Sequence, residues 1–212
     1  MFYPNWAEEI FSEATKNLSF SFLSEQALKF LFAGNVGTAQ DLSRIISAFS
    51  STEIKNLNFQ FVIAGGGRDL NNMIELVKLL NLETKIVFTG QLELDAMPSL
   101  YQECDILVLS LKDDYILNKT LPGKLQSYML AGKPILSLAN GEANNLITKC
   151  SAGLAANPSN INEIETAILD FMNMSLIERK KYGDNGKRYC LENFARKKMI
   201  SRMENLIRTV GN

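Results

Sequence analysis

The feature that most restricts the fold is an alternation along the chain. Short, mostly apolar runs take turns with stretches whose apolar residues recur three and four apart. The runs at 29–33, 59–64, 85–89, 105–110, 134–138 and 153–155 read as strands. Between them, 39–50, 69–80, 96–103, 124–131 and 142–150 read as helices, with Leu42, Ile45, Ile46 and Phe49 showing the spacing. A strand whose apolar residues occupy successive positions has no face for water, so helices must cover the sheet on both sides. The expected fold class is therefore α/β: a single doubly wound parallel sheet of about six strands. Past Pro158 the pattern is helical, first over 161–174 and then over a charged segment, 176–210, which Gly183 and Gly186 are expected to break into two or three helices. Residues 6–17 read as an amphipathic helix ahead of the first strand, and 18–26 as a connector. The organisation is thus a leading segment (1–26), a sheet domain (27–175) and C-terminal helices (176–212).

Composition narrows the chemistry. With 22 Lys and Arg against 23 Asp and Glu, the 212-residue chain lacks the cation surplus that general nucleic-acid binding requires. It contains no histidine, which removes the commonest general base, the histidine-dependent nucleophile systems and most zinc sites. Cys104, Cys150 and Cys190 are odd in number and widely spaced, as in a reducing compartment. The N-terminal stretch has no basic segment followed by an apolar one, and no apolar run is long enough to span a bilayer, so a cytoplasmic location is expected.

Ligands of such sheets sit beyond the carboxyl ends of the strands, and glycines gather there. The first strand runs into Gly34-Asn35-Val36-Gly37-Thr38 ahead of a helix. This loop reads either as a diphosphate cradle or as a turn in which Thr38 caps the helix. The second strand ends in Gly65-Gly66-Gly67-Arg68, where Arg68 either meets a phosphate or lies in solvent; the third ends in Gly90-Gln91-Leu92. After the fourth strand, Pro122-Gly123 opens a short helix that carries Lys124 in its first turn and Ser127 one turn on, and Ala131-Gly132 closes it. A cation and a helix N-terminus aimed at one crevice suit a diphosphate. Lys133, at the other end of that helix, reads as a solvated surface residue. Glu142 either brings a carboxylate to the ligand or simply favours the first turn of its own helix.

Taken in order, these loops resemble the C-terminal half of the family 4 glycosyltransferases, enzymes with two Rossmann-like domains facing each other across a cleft (the GT-B fold). Tyr3-Pro4-Asn5-Trp6-Ala7-Glu8, the stretch 32–40 and the stretch 121–136 are similar to a subgroup of bacterial transferases for surface-polysaccharide sugars that includes N-acetyl-fucosamine transferases. The resemblance implies a Rossmann-like domain that binds a nucleotide-diphosphate-sugar, most often a UDP-sugar, as substrate and needs no cofactor. It implies a partner N-terminal domain for the acceptor, a lipid-linked acceptor at the membrane surface, and attachment of the whole enzyme to the inner face of the membrane. Transfer would retain the anomeric configuration. With no D-x-D motif, no metal is expected. The resemblance implies donor contacts at Gly34, Asn35, Gly37, Thr38, Gly67, Arg68, Gln91, Leu92, Pro122, Gly123 and Ser127, with Lys124 and Glu142 as the catalytic pair. The sequence departs from the family where two glutamates usually flank the donor-binding helix, having Lys119 and Ser127 instead. The rival readings are a non-catalytic nucleotide-binding module and half of a UDP-sugar epimerase.

Overall fold

The computed structural model describes residues 5–12 and 18–210, without the side chains of 209 and 210. Six parallel strands form one sheet: β1 (Leu28–Ala33), β2 (Phe59–Ala64), β3 (Ile86–Gly90), β4 (Ile106–Ser110), β5 (Ile135–Leu138) and β6 (Gly153–Ala156). Their order is β3-β2-β1-β4-β5-β6. The first three strands step outward from β1 in one direction and the last three in the other. The crevice between β1 and β4 is therefore the topological switch point, where doubly wound sheets bind their ligands.

The helices are α1 (Leu42–Phe49), α2 (Thr52–Lys55), α3 (Leu70–Leu79), α4 (Met97–Glu103), α5 (Gly123–Ala131), α6 (Glu142–Cys150), α7 (Ile161–Asn173), α8 (Leu176–Asn193) and α9 (Arg196–Val210). Alternate strand residues feed two cores. Leu31, Val62, Leu107 and Leu109 join α4, α5 and α6 on one face; Phe30, Phe32, Phe61, Ile63, Ile106 and Val108 join α1, α3 and α7 on the other. All six residues of β2 are buried; five are apolar, and Gln60 accepts from Ser24 N–H (2.9 Å) and donates to Phe22 O (2.8 Å).

Three expectations are corrected. Residues 6–12 form only a short 3-10 turn, Glu9–Phe11, and the rest of the expected 6–17 helix lies outside the described residues, as do Tyr3 and Pro4. Helix α1 starts at Leu42, behind Asp41 in the left-handed conformation, so Thr38 does not cap it. Instead 37–40 closes a turn through Gln40 N–H to the Gly37 carbonyl (3.0 Å), and Lys112 N–H holds Ala39 O at 2.8 Å. Gly183 and Gly186 do not break the last segment; both lie buried inside α8. A Cβ on Gly183 would stand 2.0 Å from the Gly132 carbonyl oxygen, so glycine here lets α8 press onto the end of α5. The chain turns instead at Phe194–Ala195, and Phe194 and Met199 are buried against this same domain.

Candidate functional site

Backbone builds one wall of the site. Beyond the strands, Gly34 N–H donates to Ala64 O, Gly65 N–H to Gly90 O and Val36 N–H to Gly66 O, each at 2.8 Å, while Asp69 N–H donates to Val36 O at 3.0 Å. The loops after β1, β2 and β3 are thereby laced together. Gly65 has φ of +143°, and a Cβ there would fall 1.9 Å from the Gly34 carbonyl oxygen, a contact that only glycine permits.

Side chains build the other wall. Tyr128, wholly buried in α5, accepts a hydrogen bond from Ala33 N–H (3.0 Å) and donates one to Ala33 O (3.3 Å). Burial pushes its phenol well above the usual range, so it stays neutral and able to donate. Lys124 lies one turn earlier on the same helix face, so the anchor at Ala33 carries Lys124 over the next residue, Gly34. A Cβ on Gly34 would sit 2.6 Å from the Lys124 ammonium. The ammonium rests over the Phe32 ring, 4.2 Å from its centroid, and has no hydrogen bond or ion pair among the described residues. Desolvation lowers its pKa from 10.5 to about 8.

Two open clefts border this junction. One, of about 580 Å³, is lined by Gly34, Asn35, the 65–67 glycines, Gln91 and Leu92, with Met97 and Tyr101 behind them. The other, of about 450 Å³, is lined by Trp6, Glu8, Gly123, Lys124 and Ser127. Phe11 and Tyr101 line both, stacked with centroids 5.0 Å apart and planes at 16°. The sequence offered no sign of this shared aromatic wall or of the Tyr128 anchor, because both join residues distant in the chain.

The structure thus brings together Gly34, Asn35, Gly67, Gln91, Leu92, Gly123, Lys124 and Ser127 around the switch point. Pro122 sits at the N-cap of α5 without lining either cleft. Gly37 is buried against the Asn35 side chain. Thr38 and Arg68 meet each other, Arg68 Nη2 donating to Thr38 Oγ1 at 3.5 Å, outside the cleft lining. Glu142 is not joined to Lys124. It opens α6 and lines a separate cavity beside Leu121 and Arg202, because the helix face it occupies turns toward α8 and α9. Lys133 is not solvated: its ammonium donates to Gln102 O at 2.6 Å, and burial lowers its pKa. Among the described residues, no group of three His, Cys, Asp or Glu is placed to hold a metal ion, and no helix is long and apolar enough to cross a membrane.

A sheet of this strand order, with glycine loops on one side of its switch point and a lysine-bearing helix start on the other, defines a Rossmann-like domain of the GT-B class. The chain belongs to the family described as glycosyl transferases group 1, whose model matches residues 15–189. It is 27% identical over 210 residues to the probable glycosyltransferase WbjE of Pseudomonas aeruginosa, covering 92% of this chain and 51% of that protein. It is 23% identical over 137 residues to the 2-deoxystreptamine glucosyltransferase of Streptomyces kanamyceticus, covering 65% of this chain and 34% of that protein. The chain therefore spans between a third and a half of the length of these curated relatives. Among solved structures, Anabaena HepE in complex with UDP-glucose superposes with a TM-score of 0.72 at 14% identity, over 87% of this chain and 49% of that one.

Proposed function

We propose that this chain is the donor-binding half of a retaining glycosyltransferase that takes a UDP-sugar and builds cell-surface polysaccharide, in the subgroup that includes N-acetyl-fucosamine transferases. The observation that carries the reading is Lys124. Its half-buried ammonium is held over Gly34 at the switch point with an aromatic ring beneath it and no ion pair among the described residues. A cation in the first turn of a helix opposes the helix dipole and is desolvated as well, and a diphosphate relieves both penalties.

The chemistry follows from the same contact. When a sugar leaves a nucleoside diphosphate, negative charge grows on the β-phosphate. A preorganised ammonium and the free N–H groups of the α5 N-terminus stabilise that charge more in the transition state than in the ground state. With these groups carrying the diphosphate, the transfer runs without a metal. Gly34, Asn35 and Gly67 bring backbone close to the phosphates, Gln91 and Leu92 flank the base, and Ser127 faces the ribose. A second, N-terminal domain supplies the acceptor, and the whole enzyme works in the cytoplasm against a lipid-linked acceptor at the inner face of the membrane. The likeness to WbjE over nearly the whole chain supports a transferase, and the nucleotide named for HepE supports uridine.

A thermal-shift comparison of UDP, UDP-glucose, UDP-N-acetylglucosamine, ADP and GDP tests the donor class, since a ligand bound only by the native state raises its apparent stability. The uridine compounds are expected to raise Tm and the purine diphosphates to leave it unchanged. No rise with any uridine compound would overturn the proposal. Robust glycosyl transfer by this chain alone would overturn the division of labour between two domains.

A further inference from the structure

The cavity that takes Glu142 away from Lys124 is a groove of about 290 Å³ between α6 and the corner where α8 meets α9. Glu142, Asn145 and Lys149 line it from α6, at positions three and seven residues beyond the first, so a single helix stripe spans its length. Tyr189 and Asn193 line it from the end of α8, and Arg202 from α9. Leu146 and Phe194 add apolar surface, and the Tyr189 ring is braced edge-on against Phe194 at 5.8 Å.

The side chains of Glu142, Asn145, Lys149 and Arg202 make no hydrogen bond or ion pair among the described residues. A concave site thus holds a carboxylate, an amide and two cations, none committed to a protein partner, beside an aromatic ring. This set matches a sugar ring. Vicinal hydroxyls donate to the carboxylate and amide oxygens and accept from the ammonium, guanidinium and amide N–H groups, while the C–H face of a pyranose lies on an aromatic face. The volume, about 290 Å³, sits at the lower limit of the roughly 300–1,000 Å³ of small-molecule sites, which suits one sugar ring better than a whole nucleotide sugar. Glu142 also makes the groove a poor trap for a bare anion.

We propose that this groove is a second carbohydrate-binding site, for a saccharide unit other than the donor sugar. It shares no lining residue with the two clefts beside Lys124, so it stands independently of the UDP reading.

Amide NMR of the whole chain tests the site, with glucose, galactose and N-acetylglucosamine titrated separately and inorganic phosphate as a fourth probe. At least one sugar is expected to shift the amides of Asn145, Lys149 and Asn193 saturably, at affinities on the order of millimolar, and to leave Gly34 and Gly65 unmoved. Asn145 is exposed on a helix, so Asn145→Ala leaves the fold intact and is expected to weaken that sugar about tenfold. The proposal is overturned if no sugar shifts these amides, if only phosphate does, or if Asn145→Ala binds the sugar as tightly as the parent. UDP titrated in the same way reports at Gly34 and Gly65, so failure at one site is read separately from failure at the other.

Discussion

The two walls of the switch-point crevice are made from different materials. On the β1–β3 side, carbonyls and amides of adjacent loops bond to one another, and glycine lets them approach. On the α5 side, one buried phenol ties the helix to β1 and leaves a neighbouring ammonium without a structural partner. The first wall cannot be changed without changing the fold. On the proposed reading the second separates the two duties residue by residue, Tyr128 for the fold and Lys124 for the ligand.

Substitutions along the crevice test that contrast. The largest effect is expected at Gly65→Ala, where left-handed backbone and a 1.9 Å collision with the Gly34 carbonyl leave the side chain no room. Strain and overpacking together predict a loss of about 2–4 kcal/mol in denaturant unfolding, with UDP binding lost alongside. Unchanged stability would show that the loops are not laced as described. Tyr128→Phe keeps the ring but strands the buried Ala33 N–H, so a loss of about 1–3 kcal/mol is expected, with a smaller loss of UDP affinity as Lys124 drifts from Gly34. If Tyr128→Phe weakened UDP binding while unfolding normally, the assignment of Tyr128 to the fold alone would fail.

The smallest effect is in pH. The folded pKa of Lys124, about 8, lies below its ordinary 10.5, so the unfolded chain holds more protons between these values and stability rises with pH across that window. Diphosphate binding has the opposite slope, because it requires the protonated amine. UDP affinity is expected to be level from about pH 7, where a terminal phosphate is already doubly ionised, and to fall above pH 8. Calorimetric titrations across this range in the parent and in Lys124→Ala check it, since the variant should show no such fall.

The strands were legible to within a residue or two because apolar residues at successive positions are a local signal that burial on two faces produces directly. The C-terminal break was not. Gly183 and Gly186 carry the sequence mark of a helix breaker, yet their role is close approach to α5 and β6, while the real break at Phe194–Ala195 has no glycine or proline to announce it. The crevice was half legible. Glycines and a Pro-Gly helix start identify the carboxyl edge, so the placement of Gly34, Gly67 and Lys124 at that edge could be read from sequence. Which way a side chain on the next helix turns depends on packing, and that is why Glu142 fell in the α6 groove and Phe11 and Tyr101 went unseen.

The central claim is that Lys124 serves the ligand and not the fold. Isothermal titration of UDP into Lys124→Ala, with Lys181→Ala as the control because Lys181 is an exposed lysine on α8 outside the crevice, tests it most directly. Lys181→Ala should unfold like the parent and bind UDP as tightly, while Lys124→Ala, relieved of a desolvated ammonium, should be at least as stable as the parent yet bind UDP more weakly by about 1.5–3 kcal/mol, the range for a hydrogen bond to a charged group. Equal UDP affinity in the two variants would contradict the account.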